Sequence, residues 1–122
     1  LRRKGRRGMT GTAKQRLYAG SIKHRLYVAQ AGACCYCDKP MLMVGDMSFA
    51  RFAKLYHLTA KTVKQRVATI EHLIRRADGG TRRLENIALA CAFCNSKRQE
   101  TPWVQYRSQR LREKIPASLV AA

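Results

Sequence analysis

Acidic residues are scarce in this chain: its 122 residues include 7 Asp and Glu against 25 Lys and Arg, which gives a formal net charge of +18. Such an excess repels itself in a folded protein and is typical of proteins that bind a polyanion. Nucleic acid is the leading partner that this charge predicts, and an anionic membrane surface is the weaker one. Long apolar runs are also missing, since none approaches the ~18 residues that span a bilayer. We therefore expect no membrane partner.

The N-terminal segment has no apolar stretch of the kind that a secretory signal needs. Five cysteines in such a chain indicate a reducing compartment. We therefore expect an intracellular protein of the cytoplasm or nucleoid, and an organelle is also compatible with the basic N-terminus. Because the sequence opens on Leu1 rather than Met, we expect that an upstream portion has been removed or omitted.

The length of the chain suits one domain. Residues 1–11 are basic and glycine-rich, and they predict a flexible arm that becomes ordered on a partner. Residues 12–122 are predicted to form the single domain, with 41–67 as a helical insertion. The cations of the arm are Arg2, Arg3, Lys4, Arg6 and Arg7.

Apolar spacing and capping residues predict the elements of this domain. Residues 48–67 are loosely spaced like a helix-turn-helix, so two alternatives stay open: a DNA-reading motif, or a helical hairpin packed on the core. The predicted elements are a helix over 12–31 stopped by Gly32, helices capped by Ser48 and Thr59, strands over 68–74 and 86–91 joined by a Gly79-Gly80 turn, a helix from Ala92, and a last helix capped by Thr101 and running to about Lys114.

Four of the cysteines form two Cys-x-x-Cys pairs, Cys34 with Cys37 and Cys91 with Cys94. Each such turn presents two thiolates to one ion, and two turns complete a tetrahedral zinc site. The alternatives are buried free cysteines or a redox pair. We predict a structural Zn²⁺, because four thiolate ligands leave no open position for water or substrate. Cys35 is interpreted as a packing residue, although it is an alternative ligand to Cys34.

The residues that surround the second cysteine pair follow a family pattern. Glu71-His72, the Gly79-Gly80 turn, Asn86 and the sequence Cys91-x-x-Cys94-Asn95 occur in this order. This layout resembles the HNH nucleases, a branch of the ββα-metal (His-Me finger) endonucleases. The resemblance implies a small α+β fold, in which a ββα-metal finger surrounds a structural four-cysteine zinc site and carries flanking helices and a basic N-terminal arm.

The same resemblance implies the roles of the site residues. His72 would be the general base on water, Asn86 would orient its imidazole, and Glu71 and Asn95 would hold one divalent cation. Mg²⁺ and Mn²⁺ are the expected ions because both prefer oxygen ligands. Two positions depart from the family pattern: Asp is commoner than Glu at the position of Glu71, and Arg75 stands where proline often occurs.

The function that the resemblance implies is metal-dependent hydrolysis of DNA phosphodiester bonds, with double-stranded DNA as the partner. One alternative is a non-catalytic RNA- or DNA-binding module that uses a degenerate finger as a scaffold. Another is a transcription regulator that reads one sequence through residues 48–67. Besides the arm, the cations expected to contact phosphates are Arg75, Arg76, Arg82, Arg83, Lys97 and Arg98.

Overall fold

The structure is a computed structural model that describes residues 22–113. The predicted arm at 1–11, the start of the predicted first helix and the end of the predicted last helix lie outside these residues. Within them the chain forms a mixed fold of five helices and one two-stranded antiparallel sheet, which agrees with the predicted α+β class. No helix of this part of the chain is long and apolar enough to span a bilayer.

The first helix, α1, is described over residues 22–29, and short loops join the elements that follow it. The connection between the two strands contains two short 3-10 turns, Arg76–Asp78 and Leu84–Asn86. The other elements are α2 (Phe49–Tyr56), α3 (Ala60–Gln65), β1 (Ala68–His72), β2 (Ile87–Cys91), α4 (Ala92–Arg98) and α5 (Trp103–Arg112).

The caps of α2 and α3 are those that the sequence predicted. The Ser48 hydroxyl accepts a hydrogen bond from the amide of Arg51 at 3.1 Å, and the Thr59 hydroxyl accepts one from the amide of Thr62 at 3.2 Å. Each bond satisfies one of the unpaired amides at a helix start. Between the helices, His57 takes the left-handed conformation, with φ of 56°, that glycine more often supplies.

The α2–α3 hairpin has a small core of its own, formed by Leu42, Phe52 and Val63. Leu42 is bridged to Val67, just before β1, so the hairpin is fixed to the chain that enters the sheet. This is the packing that the helical-hairpin alternative predicted for residues 48–67.

Each of the two strands is shorter than predicted at one end. β1 ends at His72 rather than residue 74. The amide of Leu73 still donates to the carbonyl of Asn86, but the amide of Ile74 donates to the Asn86 side chain instead of to the backbone of the other strand. In the register, Ala68 pairs with Cys91 and His72 pairs with Ile87. β2 therefore begins after Asn86, which belongs to the loop.

The start of the last helix also differs from the prediction. Pro102, not Thr101, is the N-cap of α5, and no side chain of the described residues caps the helix. Thr101 follows the end of α4 instead, where its carbonyl accepts a hydrogen bond from the side chain of Arg98.

The main core is built around the cysteines and the sheet. Its fully buried members include Tyr36, Met41 and Leu89, and α5 adds Tyr106. The rings of Tyr36 and Tyr106 meet edge to face with centroids 5.0 Å apart, a favourable arrangement for aromatic side chains. The strands and α4 thus form a ββα unit whose position is set by this core.

The turn between the strands leaves no room for a side chain at Gly80. A Cβ at this position would lie 1.7 Å from the carbonyl oxygen of Ile74, so Gly80→Ala must displace backbone. We expect this substitution to lower the free energy of unfolding by about 1–3 kcal/mol, the range for overpacked sites. Urea denaturation followed by circular dichroism measures the change.

Gly79→Asn is the matched control, since Gly79 has open space around it and a φ of 89° that asparagine tolerates better than most residues. Equal midpoints for the Gly80→Ala and Gly79→Asn proteins would show that the contact with Ile74 does not constrain the turn.

Candidate functional site

The four cysteines of the two Cys-x-x-Cys pairs come together in the core. The sulfur atoms of Cys34, Cys37, Cys91 and Cys94 all lie within 4.8 Å of one another, and those of Cys37 and Cys91 are 4.0 Å apart. A tetrahedral zinc ion with Zn–S bonds of ~2.3 Å needs sulfurs about 3.8 Å apart. The cluster therefore fits a zinc ion, and the sequence predicted its four members correctly.

Backbone amides support the charge that thiolates would carry at this cluster. The sulfur of Cys34 accepts hydrogen bonds from the amides of Tyr36 and Cys91, each at 3.3 Å, and the sulfur of Cys91 accepts one from the amide of Cys94 at 3.5 Å. Hydrogen bonds from Cys35 and then from the other cluster cysteines lower the pKa of Cys34. The thiolate that a zinc ion requires is thus favoured at this position.

Cys35, the alternative ligand, is not a member of the cluster. Its hydrogen bond to Cys34 and its burial raise the pKa of its thiol, so it stays protonated as a donor. The structure thus agrees with the interpretation of Cys35 as a packing residue.

Arg110 on α5 is a part of this centre that the sequence did not reveal. Its Nε donates to the sulfur of Cys94 at 3.3 Å. Four thiolates around Zn²⁺ carry a net charge of −2, which a nearby guanidinium offsets. Nothing in the sequence around Arg110 distinguishes it from the other cations of the chain; only the packing of α5 places it here.

Loss of one cluster cysteine should remove the metal and most of the folded protein. We expect Cys91→Ser to abolish zinc retention, because three thiolates hold Zn²⁺ far less tightly and binding is coupled to folding. Elemental analysis of the purified protein gives the zinc content, and circular dichroism gives the folded fraction.

Cys35→Ser, which changes a cysteine outside the cluster, should retain one zinc per chain. A folded, metal-free Cys91→Ser protein would contradict the structural role of the cluster.

Two of the predicted site residues, Glu71 and Asn95, lie on the same face of the sheet, which α4 covers. The amide nitrogen of Asn95 donates to the hydroxyl of Thr69 at 2.9 Å and to the carbonyl of Ile70 at 3.4 Å. Glu71 follows Thr69 on this face because side chains alternate along a strand. Within residues 22–113, Oε1 of Glu71 and Oδ1 of Asn95 make no hydrogen bond. These are oxygen donors of the kind that Mg²⁺ and Mn²⁺ prefer.

His72 is the next residue along β1, and alternation turns its side chain to the opposite face from Glu71. Its Nε2 is buried and has no hydrogen-bond partner among the described residues. An unsatisfied buried nitrogen costs free energy, and such groups are few in folded proteins; among the described residues the hydroxyl of Tyr106 is the other one. No hydrogen bond joins the imidazole to Glu71, Asn86 or Asn95 in this part of the chain.

Asn86 contacts the loop that follows His72 rather than the imidazole itself. Its Oδ1 accepts a hydrogen bond from the amide of Ile74 at 2.8 Å, and its Nδ2 donates to the carbonyls of Ile74 at 3.1 Å and Thr81 at 2.7 Å. Its own carbonyl accepts the amide of Leu73. Asn86 therefore fixes the two ends of the strand connection to each other directly after His72.

Arg98 is buried inside the protein, whereas the sequence predicted that it contacts a phosphate at the surface. It is 3% exposed and forms an ion pair with Glu71, at 2.8 Å between Nη1 and Oε2. Burial and the hydrogen bond to Glu71 raise the pKa of Tyr36, whose hydroxyl donates to the same oxygen at 2.7 Å. The guanidinium donates to five oxygens, those of Glu71, the Tyr36 hydroxyl, and the carbonyls of His72, Leu73 and Thr101.

The other predicted phosphate contacts of the described chain lie at the surface. Arg76, Arg82 and Arg83 are exposed around the connection between the strands, and Lys97 is exposed on α4. Arg75 is half-buried and pairs with Asp78 at 2.9 Å. These cations are placed where a phosphate can reach them, whereas the arm lies outside the described residues.

Removing one partner of the buried Glu71–Arg98 pair should be costly. We expect Arg98→Met to lower the free energy of unfolding by about 3–5 kcal/mol, because Glu71 is left as a buried charge without its counterion. The double variant Arg98→Met/Glu71→Gln should recover part of this loss. Urea denaturation of both proteins measures the difference.

Arg82→Met is the surface control and should change stability by no more than about 0.5 kcal/mol. A double variant as unstable as Arg98→Met would show that packing, and not the charge of Glu71, accounts for the effect.

Comparison with known proteins supports the pattern read from these residues. Residues 60–101 match the sequence model of the HNH endonuclease family. No curated protein and no solved structure matches the chain. The matched segment includes both strands, α4 and the predicted site residues Glu71, His72, Asn86 and Asn95, and it indicates a nuclease or nucleic-acid-binding role. The segment that matches the HNH endonuclease model is thus joined, through a four-cysteine cluster of zinc-site geometry, to the preceding Cys34–Cys37 turn.

Proposed function

We propose that the protein is a metal-dependent endonuclease that hydrolyses phosphodiester bonds of double-stranded DNA. The observation that carries this proposal is that Nε2 of His72, at the end of β1 and within the stretch that matches the HNH endonuclease model, has no hydrogen-bond partner among the described residues. An imidazole nitrogen with no partner among the described residues accepts a proton from water without first breaking a hydrogen bond. Proton removal from the attacking water is the work of a general base in this reaction.

The backbone on both sides of the His72 side chain is held in place. Arg98 binds the carbonyls of His72 and Leu73, and Asn86 binds the amides of Leu73 and Ile74. A general base acts efficiently only when its position relative to the reacting atoms is fixed. We assign Asn86 and Arg98 to this positioning task, which Asn86 performs through the loop.

Glu71 and Asn95 are the residues that would hold a Mg²⁺ or Mn²⁺ ion, through Oε1 and Oδ1. Because His72 is the last residue of β1, a phosphate at this end of the strand would have the ion on one side and the imidazole on the other. Such an ion stabilises negative charge on the phosphate and on the leaving oxygen. Arg98 and Tyr36 hold the other oxygen of Glu71, so the carboxylate is fixed before any ion arrives.

The exposed arginines around the strand connection, Arg76, Arg82 and Arg83, would hold the DNA backbone beside this site. Phosphate contacts of this kind orient a duplex without reading its sequence. We also propose that the arm at 1–11 adds to these contacts, and that residues 12–122 act as one domain in which 41–67 are an insertion.

A second candidate is a non-catalytic nucleic-acid-binding module, and one observation favours it. The negative charge of Glu71 is already matched by Arg98 inside the protein. A carboxylate that is neutralised in this way attracts a divalent cation less strongly. The finger would then serve as a scaffold for the surrounding cations.

The test of the nuclease is cleavage of supercoiled plasmid in Mg²⁺ or Mn²⁺. We expect His72→Ala to lower the cleavage rate by about 10²–10⁴-fold, the usual loss for a general base. Zinc content and DNA affinity should not change. His24→Ala, which alters an exposed histidine on α1, should cleave like the native protein.

Withdrawal of the divalent cation separates the two candidates. A weak chelator is used at a concentration that leaves the zinc content unchanged, as checked by elemental analysis. Cleavage that stops while DNA binding persists identifies the nuclease. Salt-sensitive binding without cleavage by the native protein in either metal identifies the binding module, and equal cleavage by His72→Ala would exclude His72 as the base.

A further inference from the structure

We propose that a groove between α3 and α4 is a second contact surface for the phosphodiester backbone of nucleic acid, in addition to the strand connection. This surface rests on the nucleic-acid binding in the proposed function and does not need cleavage. We call it the α3–α4 groove and define it by the cations that line it: Lys39, Lys61, Lys64, Arg66, Lys97 and Arg110.

The groove consists of two adjoining clefts that share Gln65 and Phe93 in their walls. One cleft is lined by Lys61, Lys64 and Lys97, and the other, beside the cysteine cluster, by the remaining three cations. No acidic side chain from the described part of the chain lines either cleft. The result is a row of cations along α3 and α4 that borders Cys37 and Cys91 of the cysteine cluster at one end.

Phe93 and the backbone hold several of these cations in place. The Lys97 ammonium lies 5.8 Å from the centroid of the Phe93 ring, and the Arg110 guanidinium lies 5.1 Å from it, both within cation–π range. Arg66 donates to the carbonyl of Pro40 at 3.3 Å. Cations held in this way lose less freedom when they bind a phosphate.

The remaining lysines are placed to meet a ligand. Lys61 and Lys64 are exposed on α3, and none of the ion pairs of residues 22–113 involves either of them. Arg110, by contrast, is shared with Glu113 and the sulfur of Cys94. Lys61, Lys64 and Lys97 line a cleft in which none of the described lining residues is acidic, so these three like charges repel each other and an anionic partner removes this cost.

The position of the groove suits a long polyanion that also reaches the candidate site. Asn95 and Arg98 turn one face of α4 toward β1, and Phe93 and Lys97 turn the other face toward α3. A helix is only about 10–12 Å across. The groove therefore lies about one helix width, or roughly three base pairs of ~3.4 Å each, from the candidate site.

The test is the salt dependence of binding to a fluorescent duplex of about 20 base pairs, measured by anisotropy without divalent cations. The full chain is compared with the double variant Lys61→Gln/Lys64→Gln. Each phosphate contact that is lost makes the slope of log K against log salt shallower by about 0.9. We expect a slope shallower by about 2 and weaker binding at every salt concentration.

The matched control is Arg51→Gln/Lys54→Gln, which removes the same charge from exposed positions of α2 that do not line the groove. Its slope should change by less than half as much. Equal slopes for the two double variants, or no change in either, would overturn the proposal.

The outcome is also separable from that of the proposed nuclease, because the same proteins are assayed on plasmid. If the native protein never cleaves plasmid and the groove variant has a shallower slope of log K against log salt, the nuclease is refuted and the groove is supported. If the native protein cleaves plasmid and the groove variant binds DNA with the same slope as the α2 control, the nuclease is supported and the groove is refuted.

Discussion

The cysteine cluster ties together two stretches of chain that are far apart in sequence. Cys34 and Cys37 lie in the turn after α1, and Cys91 and Cys94 lie where β2 gives way to α4. Their sulfurs sit inside the main core, so the apolar side chains of that core pack against the cluster. A domain of this size has little apolar surface to bury, and a metal bound at the cluster would compensate for the small core. The angle at which α4 leaves the sheet, and with it the candidate site, depends on this junction.

The ion pair between Glu71 and Arg98 is the second constraint, and it acts at the other end of α4. The cluster fixes the start of this helix through Cys91 and Cys94, while Arg98 fixes its end to the last residues of β1. A buried pair costs desolvation that its attraction barely offsets, so the pair itself adds little net stability. Here the pair places the Arg98 guanidinium beside the carbonyls of His72 and Leu73, and the hydrogen bonds to these carbonyls fix the backbone at His72.

Much of this arrangement could be predicted from the sequence because local chemistry decides it. Ser48 and Thr59 cap their helices through bonds to residues three positions away, and the Cys-x-x-Cys spacing alone pairs the thiols. The contacts of Arg98 and Arg110 were beyond such reasoning, because both side chains meet partners brought near only by packing. Asn86 could be predicted only in part. Its position in the family pattern was clear, but its hydrogen bonds to Ile74 and Thr81 depend on where the two strands stop pairing.

The charge of the chain takes on different physical roles according to burial. Arg98 is buried, and every acceptor around it belongs to the protein, so it adds little to the field that a polyanion meets. Lys97, its neighbour on α4, points away from β1 and remains exposed. One residue step along the helix, a rotation of about 100°, thus separates a cation that builds the site from a cation that faces solvent. Counting basic residues predicts a polyanionic partner, but only the faces of α4 decide which of them can touch it.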